Sequence, residues 1–482
     1  MKTKKNRVFF EDYLSFLKNK KCFSPEGLVI LQSMFYGDFE DSGKGNNGGL
    51  PVLLKSLGNE IAKDKNVALV VTITLTEKLT KSFISHVRDN HVFIRLPMYL
   101  SRRNADPFIK RELSLKRYIK RFLEDSGLNP DIYHVRYLDN ASRAVALVAK
   151  ELNKKLVLTL TPDPHRSMVE ETGELRKIDF DEMILKLNKI KIGDELILIS
   201  DGIIGIGNHQ VKAELRQYFP QFKEKRIRQK VKMIGEGIKV DPPRKFKSQK
   251  LKTDEENCDL KQFIMENQLD EEFFSKPIIL KVGRLATVKG QINLLKAWAN
   301  SKLKETHHLL IIGGDKENPS EEEINVLDYF NSFLKTNPQL KNNFFHKGAM
   351  TNDEVRILEK SIMKQSFEYP HLYLCSSLKE EFGLAILEAM SQGFLALGPI
   401  SGGVKSYMNS GENGFLIETS SWQAMAKDTE RFLYESSLKT EDFKKIQKAG
   451  RKTIIDLFSV QTIAKDFLAF YLALEGAQYD EI

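Results

Sequence analysis

Cysteine is scarce in this chain of 482 residues, which has only Cys22, Cys258 and Cys375. Their wide spacing predicts neither a disulfide framework nor a zinc site and fits a reducing environment. Long apolar runs are missing as well. Charged residues interrupt the apolar stretch near the N-terminus, and no segment of the sequence approaches the ~20 apolar residues of a membrane span. The sequence therefore predicts a cytoplasmic protein that is neither secreted nor integral to a membrane.

The charge balance is positive, with 74 Lys and Arg against 65 Asp and Glu, a net charge of +9 and a pI near 9.0. Such an excess fits nucleic acid, an anionic membrane surface or small anionic substrates. Nucleic-acid binding usually adds aromatics interleaved with clustered Lys and Arg, or a recognisable reading module, and neither is found. Nucleic acid is therefore not expected as a partner, whereas peripheral membrane contact and a small anionic substrate both stay open.

A chain of this length is too long for one hydrophobic core, so two domains of roughly 200 residues are expected. In the first part, short apolar runs rich in β-branched residues alternate with helical patterns at 50–62 and 141–152. The runs predict buried parallel strands at 28–31, 67–73, 132–135, 156–160 and 196–199. This alternation is typical of a doubly wound α/β domain.

A charged segment with paired prolines, 241–263, predicts a linker or surface excursion. The alternation then starts again, with strands predicted at 278–282, 309–312, 343–345 and 372–375, a helix at 384–391 and an amphipathic helix at 463–474. The predicted organisation is an N-terminal α/β domain at 1–265, a C-terminal α/β domain at 266–460 and a final helical segment at 461–482.

The most informative motif begins at Lys379 and reads KEEFGLAILEAMSQG. If a strand ends near 375 and a helix begins near Gly383, the free N–H groups and the positive dipole end of that helix point out of the strand's carboxyl edge. That position suits a diphosphate, which the glycine lets approach the backbone. Glu380 and Glu388 repel phosphate but accept hydrogen bonds from sugar hydroxyls. On spacing alone, both would be solvated helix residues.

A second motif, KPIILKVGRLATVKG, places Gly283, Arg284, Lys289 and Gly290 after a predicted strand. The planar fork of Arg284 and the mobile charge of Lys289 suit the oxygens of one diphosphate, and the negative charge that grows on it as it leaves. Taken singly, each would more often be a surface cation.

Together, the two motifs, intact and in this order, resemble those of the retaining family-4 glycosyltransferases. The resemblance implies a GT-B fold, in which two Rossmann-like doubly wound domains face a cleft and a C-terminal helix crosses back to the N-terminal domain. Two further segments match: Gly48 and Gly49 in NNGGLP resemble the family's T-G-G loop, and Gly348 in FFHKGAMTNDEV belongs to a segment resembling its nucleotide-base loop. Many relatives have an acidic residue where this chain has Ser406.

The resemblance also implies roles for individual residues. Arg284 and Lys289 would bind the donor diphosphate, Glu380 the transferred sugar and Glu388 the ribose hydroxyls, while Gly383 and Leu384 offer backbone amides. The donor-binding set implied is Gly48, Gly49, Arg284, Lys289, Gly348, Glu380, Phe382, Gly383, Leu384 and Glu388, and the catalytic set is His165, Arg284, Lys289 and Glu380.

The acceptor side is similar to the sucrose-phosphate synthase branch of that family, where NPDIYH resembles a P-D-x-x-H strand. Where the branch has T-G-H, this chain has Thr161 and, four residues later, His165, which fills the role only if the loop bends back. Lone histidines are more often structural. Lys110 and Arg111 lie in a basic stretch that would otherwise be a solvated helix face. The implied acceptor residues are Arg136, Tyr137, Asp139, Arg166, Lys110 and Arg111.

The prediction is a retaining, metal-independent hexosyltransferase without a cofactor, whose donor is a nucleotide diphosphate sugar, UDP-glucose first, and whose acceptor is a small sugar or sugar phosphate. A phosphorylase or nucleotide-sugar hydrolase on the same fold, and a catalytically silent sugar-nucleotide-binding protein, are the alternatives. Asp179 and Asp181 form a D-x-D, the metal signature of another glycosyltransferase architecture, but they lie in a helical pattern. A diphosphate already neutralised by Arg284 and Lys289 needs no metal.

Overall fold

A computed structural model of the protein describes residues 27–35, 37–40, 49–77, 83–88, 90–98, 106, 108–169, 174–207, 209–240, 272–315, 318–378 and 380–476. The chain divides into two compact units. The first takes its described residues from Met1–Phe39, Leu53–Gly237 and Val460–Ile482, and the second from Glu40–Val52 and Ile238–Ser459. The segment predicted as a linker, 241–263, lies outside the described residues.

An eight-stranded sheet forms the centre of the first unit, in the order β3-β4-β2-β1-β5-β6-β7-β8. Its strands are β1 (Leu28–Ser33), β2 (Val67–Thr76), β3 (Ile84–Arg88), β4 (His91–Pro97), β5 (Ile132–Val135), β6 (Lys155–Leu160), β7 (Gly202–Gly205) and β8 (Val231–Met233). Neighbours pair in parallel, except β3 and β4, which are antiparallel. The helices between them are α1 (Leu50–Ile61), α2 (Glu112–Ser126), α3 (Asn140–Glu151), α4 (Phe180–Ile199), α5 (His209–Tyr218) and α6 (Lys225–Arg228).

The central strands are buried along their whole length because both faces of the sheet are covered. Every residue of β1 and of β5 is buried, as expected for parallel strands with helices on both sides. The strands predicted at 28–31, 67–73, 132–135 and 156–160 are confirmed as β1, β2, β5 and β6.

The strand predicted at 196–199 is wrong, because these residues form the last turn of α4. The residues that α4 buries, Ile192, Gly193, Leu196 and Ile197, have helical spacing. The amide of Ser200 closes the helix by donating to the carbonyl of Leu196. Four consecutive apolar residues are compatible with either a helix or a strand, so the run alone does not determine the secondary structure of 196–199. The strand that pairs with β6 comes three residues later, as β7.

A six-stranded, all-parallel sheet forms the centre of the second unit, in the order β11-β10-β9-β12-β13-β14. Its strands are β9 (Ile278–Val282), β10 (His308–Ile312), β11 (Phe344–Lys347), β12 (Leu372–Leu374), β13 (Leu395–Pro399) and β14 (Phe415–Ile417). Its helices are α7 (Gln291–Ala299), α8 (Leu303–Thr306), α9 (Glu321–Thr336), α10 (Asn352–Ile362), α11 (Leu384–Gln392), α12 (Trp422–Glu430) and α13 (Thr440–Leu457). The four strands and the helix predicted here are confirmed, and β13 and β14 extend the sheet beyond them.

The last helix, α14 (Val460–Leu474), belongs to the first unit, although the chain before it belongs to the second. Its apolar face is buried, and the Tyr471 hydroxyl lies 2.7 Å from Nδ1 of His134 on β5. The predicted return of the final helix to the N-terminal domain is therefore seen in the structure. Within the described ranges, no helix is both long enough and apolar enough to cross a membrane.

Candidate functional site

Three neighbouring strands of the second unit end at one edge of its sheet. Because β9, β12 and β13 pair in parallel, the loops that follow them leave the sheet side by side. The loop after β9 carries Arg284 and Lys289, and the loop after β12 carries Glu380. Glu380 forms an isolated parallel bridge with Gly402, which follows β13. The fold thus brings the two sequence motifs together.

Glu380 accepts two hydrogen bonds on the same oxygen. Nζ of Lys289 lies 2.7 Å from Oε2 of Glu380, and the Ser377 hydroxyl donates to that oxygen at 3.0 Å. Burial alone would raise the pKa of Glu380, but the charges of Lys289 and Lys281, with hydrogen bonds from Lys289 and Ser377, bring the pKa below its usual value. Glu380 is therefore ionised at neutral pH, as a carboxylate that accepts from sugar hydroxyls must be.

A second lysine lies beneath this pair and was missed by the sequence analysis. Lys281 is on β9 and only 2% exposed. Its Nζ is 3.4 Å from the Ser377 hydroxyl and 3.5 Å from Sγ of Cys375. The signal was present in the sequence, because a lysine inside a buried apolar strand requires polar partners nearby. Lys281 adds a fixed positive charge behind Glu380.

Two glycines let the loops of this site approach one another. Gly383 has φ 85° and directly precedes α11, and the first amides of a helix lack acceptors within the helix itself. Gly290 has φ 67°, and a Cβ there would lie 2.0 Å from the carbonyl oxygen of Ser376. A side chain at position 290 would therefore push apart the loops that carry Lys289 and Ser377.

The other residues predicted to bind the donor have no described contact with the Lys289–Glu380 pair. Gly49 belongs to the second unit, and a Cβ there would lie 2.7 Å from Leu384 at the start of α11. Gly48 lies outside the described residues. Phe382 is buried, and its carbonyl accepts a hydrogen bond from the Tyr407 hydroxyl. Gly348 follows β11 directly.

Glu388 lies on α11 and accepts a hydrogen bond of 2.6 Å from the side-chain amide of Asn352. Burial raises the pKa of Glu388 to about 7, against the hydrogen bond from Asn352 and the charge of Arg356, which lower it. Behind it, both carboxyl oxygens of Glu359 are buried and lack a hydrogen-bond partner among the described residues. Burial, followed by the charge of Glu388, raises the pKa of Glu359 well above its usual value. Burial therefore favours the uncharged form of the Glu359 carboxyl.

Arg284 is held loosely. Its side chain is 37% exposed, and its nearest carboxylate, on Glu322, is 4.0 Å away. An ion pair of this length and exposure contributes little stability. The guanidinium is thus free to turn toward an anion at the sheet edge.

The acceptor-side candidates of the first unit lie mainly after β5 and β6. The Arg136 guanidinium lies over the Phe467 ring of α14, 5.4 Å from the ring centroid. Asp139 is buried and caps α3 by accepting a hydrogen bond of 2.7 Å from the Ser142 amide. Burial, opposed by hydrogen bonds from Ser142, raises the pKa of Asp139 to about 6. Tyr137 is partly exposed.

His165 begins a short 3₁₀ helix after β6, with its ring stacked on Tyr218 and edge-on to Phe219. Its Nδ1 is buried without a hydrogen-bond partner among the residues described, and burial lowers the pKa of its imidazole. Arg166 pairs with Glu214. Lys110 and Arg111 lie exposed just before α2.

The D-x-D pair does not form a metal site in the described part of the chain. Asp179 caps α4 and Asp181 lies in its first turn. No group of three or more His, Cys, Asp or Glu side chains suited to a metal ion occurs among the residues that the structure describes.

Residues 266–453 match the family model described as glycosyl transferases group 1. This part of the chain is therefore similar to the glycosyl transferases group 1 domain. Sucrose synthase isoform 2 from Daucus carota is 26% identical over 200 residues, 40% of this chain and 24% of the relative. Sucrose synthase from Solanum tuberosum is 26% identical over 205 residues, 42% of this chain and 25% of the relative. The matched part thus spans about a quarter of these relatives.

Solved structures match almost the whole chain. Sucrose-phosphate synthase from Thermosynechococcus elongatus superposes with a TM-score of 0.69 at 18% identity, covering 93% of this chain and 99% of the other. The Anabaena protein HepE, crystallised with UDP-glucose, gives 0.61 at 15% identity, covering 92% and 99%. The fold is therefore GT-B, with two Rossmann-like units, as the motifs predicted.

Proposed function

We propose that this protein is a retaining, metal-independent glycosyltransferase of the cytoplasm that moves a hexosyl group, glucose first, from a nucleotide diphosphate sugar to an acceptor hydroxyl. The observation that carries the proposal is the meeting of Lys289, ionised Glu380 and the start of α11 at one sheet edge. A cation and free helix amides suit a diphosphate, and a carboxylate beside them suits the hydroxyls of the attached sugar.

Each donor group has a proposed partner in this site. Lys289 and Arg284 bind the diphosphate together with the amides of Gly383 and Leu384. Glu380 accepts from the transferred sugar. Glu388, beside Asn352, accepts from the ribose hydroxyls, and the loops at Gly49 and Gly348 lie against the phosphates and the base.

The chemistry needs no protein nucleophile. The bond from the anomeric carbon to the diphosphate breaks and the bond to the acceptor oxygen forms on the same face. The acceptor's proton passes to the leaving diphosphate. Arg284 and Lys289 stabilise the charge that develops on that leaving group, which is where electrostatic stabilisation lowers a barrier most.

A sugar phosphate is the first acceptor to test. Lys110, Arg111, Arg136 and Arg166 supply positive charge on the acceptor side, with Tyr137 and Asp139 as further candidates and His165 near the reacting sugar. The HepE complex with UDP-glucose and the likeness to sucrose-phosphate synthase support UDP-glucose as the first donor. Mass spectrometry of a donor-by-acceptor screen identifies the product.

The test of the proposed donor site is Arg284→Ala. We expect turnover, followed as UDP release from UDP-glucose, to fall by about 10²-fold or more because a charge on the leaving diphosphate goes unopposed. The thermal midpoint of unfolding should stay unchanged, since Arg284 is partly exposed and loosely paired. Arg451→Ala, an exposed position on α13, is the matched control.

Wild-type turnover in Arg284→Ala would remove the role proposed for that residue. Product analysis with acceptor, with phosphate and with water alone separates a transferase from a phosphorylase or a hydrolase. Binding of UDP- or ADP-sugars in calorimetry without turnover on any acceptor would favour the catalytically silent sugar-nucleotide-binding protein, and failure to bind them would end the proposal.

A further inference from the structure

The exposed apolar side chains of the first unit are concentrated in two short segments. Thirteen large apolar side chains are exposed in the described part of the chain, and six of these lie within 108–117 and 174–191. They are 44% to 77% exposed and comprise Ile109, Leu113, Leu175, Phe180, Ile184 and Leu187. Single exposed apolar residues are ordinary, but a concentration of this kind marks an interaction surface.

Three of these six residues belong to the first half of α4. The residues that α4 buries begin only at Ile192, so the three turns from Phe180 to Lys191 bury none. Phe180, Ile184 and Leu187 have the spacing i, i+4 and i+7, which places them on one face. This first half of α4 thus presents an uncovered apolar stripe.

The start of α2 is joined to the middle of α4 through the first residue of α3. The Asn140 side chain donates to Glu112 at 2.7 Å and accepts from Asn188 at 2.9 Å. Leu113 follows Glu112 in the sequence, and Leu187 precedes Asn188, so each exposed leucine is next to a residue that contacts Asn140. We call the exposed faces of 108–117 and 174–191 the α2–α4 surface.

The charge of the α2–α4 surface indicates what covers it. Its two segments contain nine Lys and Arg but five Asp and Glu, so they hold four of the chain's nine excess positive charges. In a two-fold dimer this surface would face its own copy, and the excess charges would repel. Exposed apolar side chains in segments with an excess of cations instead suit the headgroup region of an anionic bilayer, where the apolar side chains insert and Lys and Arg meet lipid phosphates.

We propose that the α2–α4 surface docks the protein on anionic membranes. The apolar side chains supply insertion, and the excess positive charge supplies attraction to the anionic leaflet. Acidic Asp179, Asp181 and Glu182 lie at the first turn of α4, where they complement the helix dipole. The docking does not depend on the transfer reaction, so it is testable without a known acceptor.

Vesicle co-sedimentation of the full chain tests the docking. We expect binding to vesicles of phosphatidylcholine with roughly one-third phosphatidylglycerol, and weak binding to phosphatidylcholine alone. About 0.5 M salt should release the protein in part, because screening removes the charge attraction but leaves insertion. The double variant Phe180→Ser, Ile184→Ser should bind at least tenfold more weakly, since two inserted side chains are lost.

The matched control is Ile324→Ser with Leu457→Ser, two exposed apolar residues of the second unit. It should bind anionic vesicles like the wild type. The proposal is overturned if the wild type does not bind anionic vesicles, or if both double variants bind equally. It is also overturned if sedimentation shows a dimer in solution that Phe180→Ser, Ile184→Ser abolishes, since a second copy would then cover the surface.

Discussion

Both units of this protein are built on parallel sheets, but they use charged residues differently. At the sheet edge of the second unit, Lys289 and Ser377 both contact Glu380, and buried Lys281 lies behind them. In the first unit, Asp139 caps a helix and Arg166 pairs with Glu214. The second unit therefore gathers charged side chains around one carboxylate, whereas Asp139 and Arg166 in the first unit each contact a single helix amide or carboxylate.

The strongest test of this contrast is Lys289→Met, which removes the central cation of the second unit. We expect turnover to fall by about 10²- to 10³-fold, as for the loss of an electrostatic stabiliser of the leaving group. The acid limb of the pH–rate profile should also move to higher pH. Glu380 would lose the charge and hydrogen bond that oppose burial, so its pKa would rise.

The control for this substitution is Lys452→Met, which removes a lysine that pairs with Asp456 on the surface of α13. It should leave both the turnover and the pH profile intact. Turnover in Lys289→Met within a few-fold of the wild type would mean that the cluster is structural, and the contrast between the units would disappear.

The affinity for UDP-glucose is expected to change about tenfold with pH through the ionisation of Glu388. With a pKa of about 7, its ionised fraction rises about tenfold between pH 6 and pH 8, and only the ionised form accepts from two ribose hydroxyls. Calorimetry should show the affinity for UDP-glucose rising by that factor, and Glu388→Gln should flatten the dependence. An affinity that is equal at both pH values in the wild type would contradict the assignment.

The smallest effect is expected in the first unit, from Asp139→Ala. Loss of the cap on α3 should lower the free energy of unfolding by about 1 kcal/mol in chemical denaturation, and the acceptor KM of the same variant tests the acceptor role proposed for Asp139. Asp179→Ala is the matched control, because Asp179 caps α4 at an exposed position. A raised KM with unchanged stability would move Asp139 into the acceptor site and weaken the contrast.

The sequence predicts the fold best where apolar runs are short and clearly bounded, as at β5 and β9. It fails at 196–199, where an apolar run continues a helix. It does not reveal β8, because Val231–Met233 is only partly buried and lacks an apolar run. The pattern of apolar residues within one segment carries no information about which strand it will pair with. The formation of an edge strand such as β8 therefore depends on tertiary context.

Prediction of the candidate site follows the same division. The sequence placed Lys289 and Glu380 in one donor site, because both lie in motifs that follow strands, but it did not predict that they would form an ion pair. The contributions of Lys281, Asn352 and Glu359 were not expected, since they depend on which strands and helices become neighbours. An isolated lysine in a buried strand was the only one of these with a signal in the sequence.

The return of α14 to the first unit has a consequence for biosynthesis. His134 is buried against Tyr471, which leaves the ribosome 337 residues later. At about 5–20 residues per second, that interval is roughly 20 to 70 s. In the folded protein, Gly202 lies so close to α14 that a Cβ at this position would be 2.7 Å from the Phe470 ring. During the interval of synthesis, α14 is not yet there to cover this part of the sheet. The unit that begins first in the chain is therefore completed last.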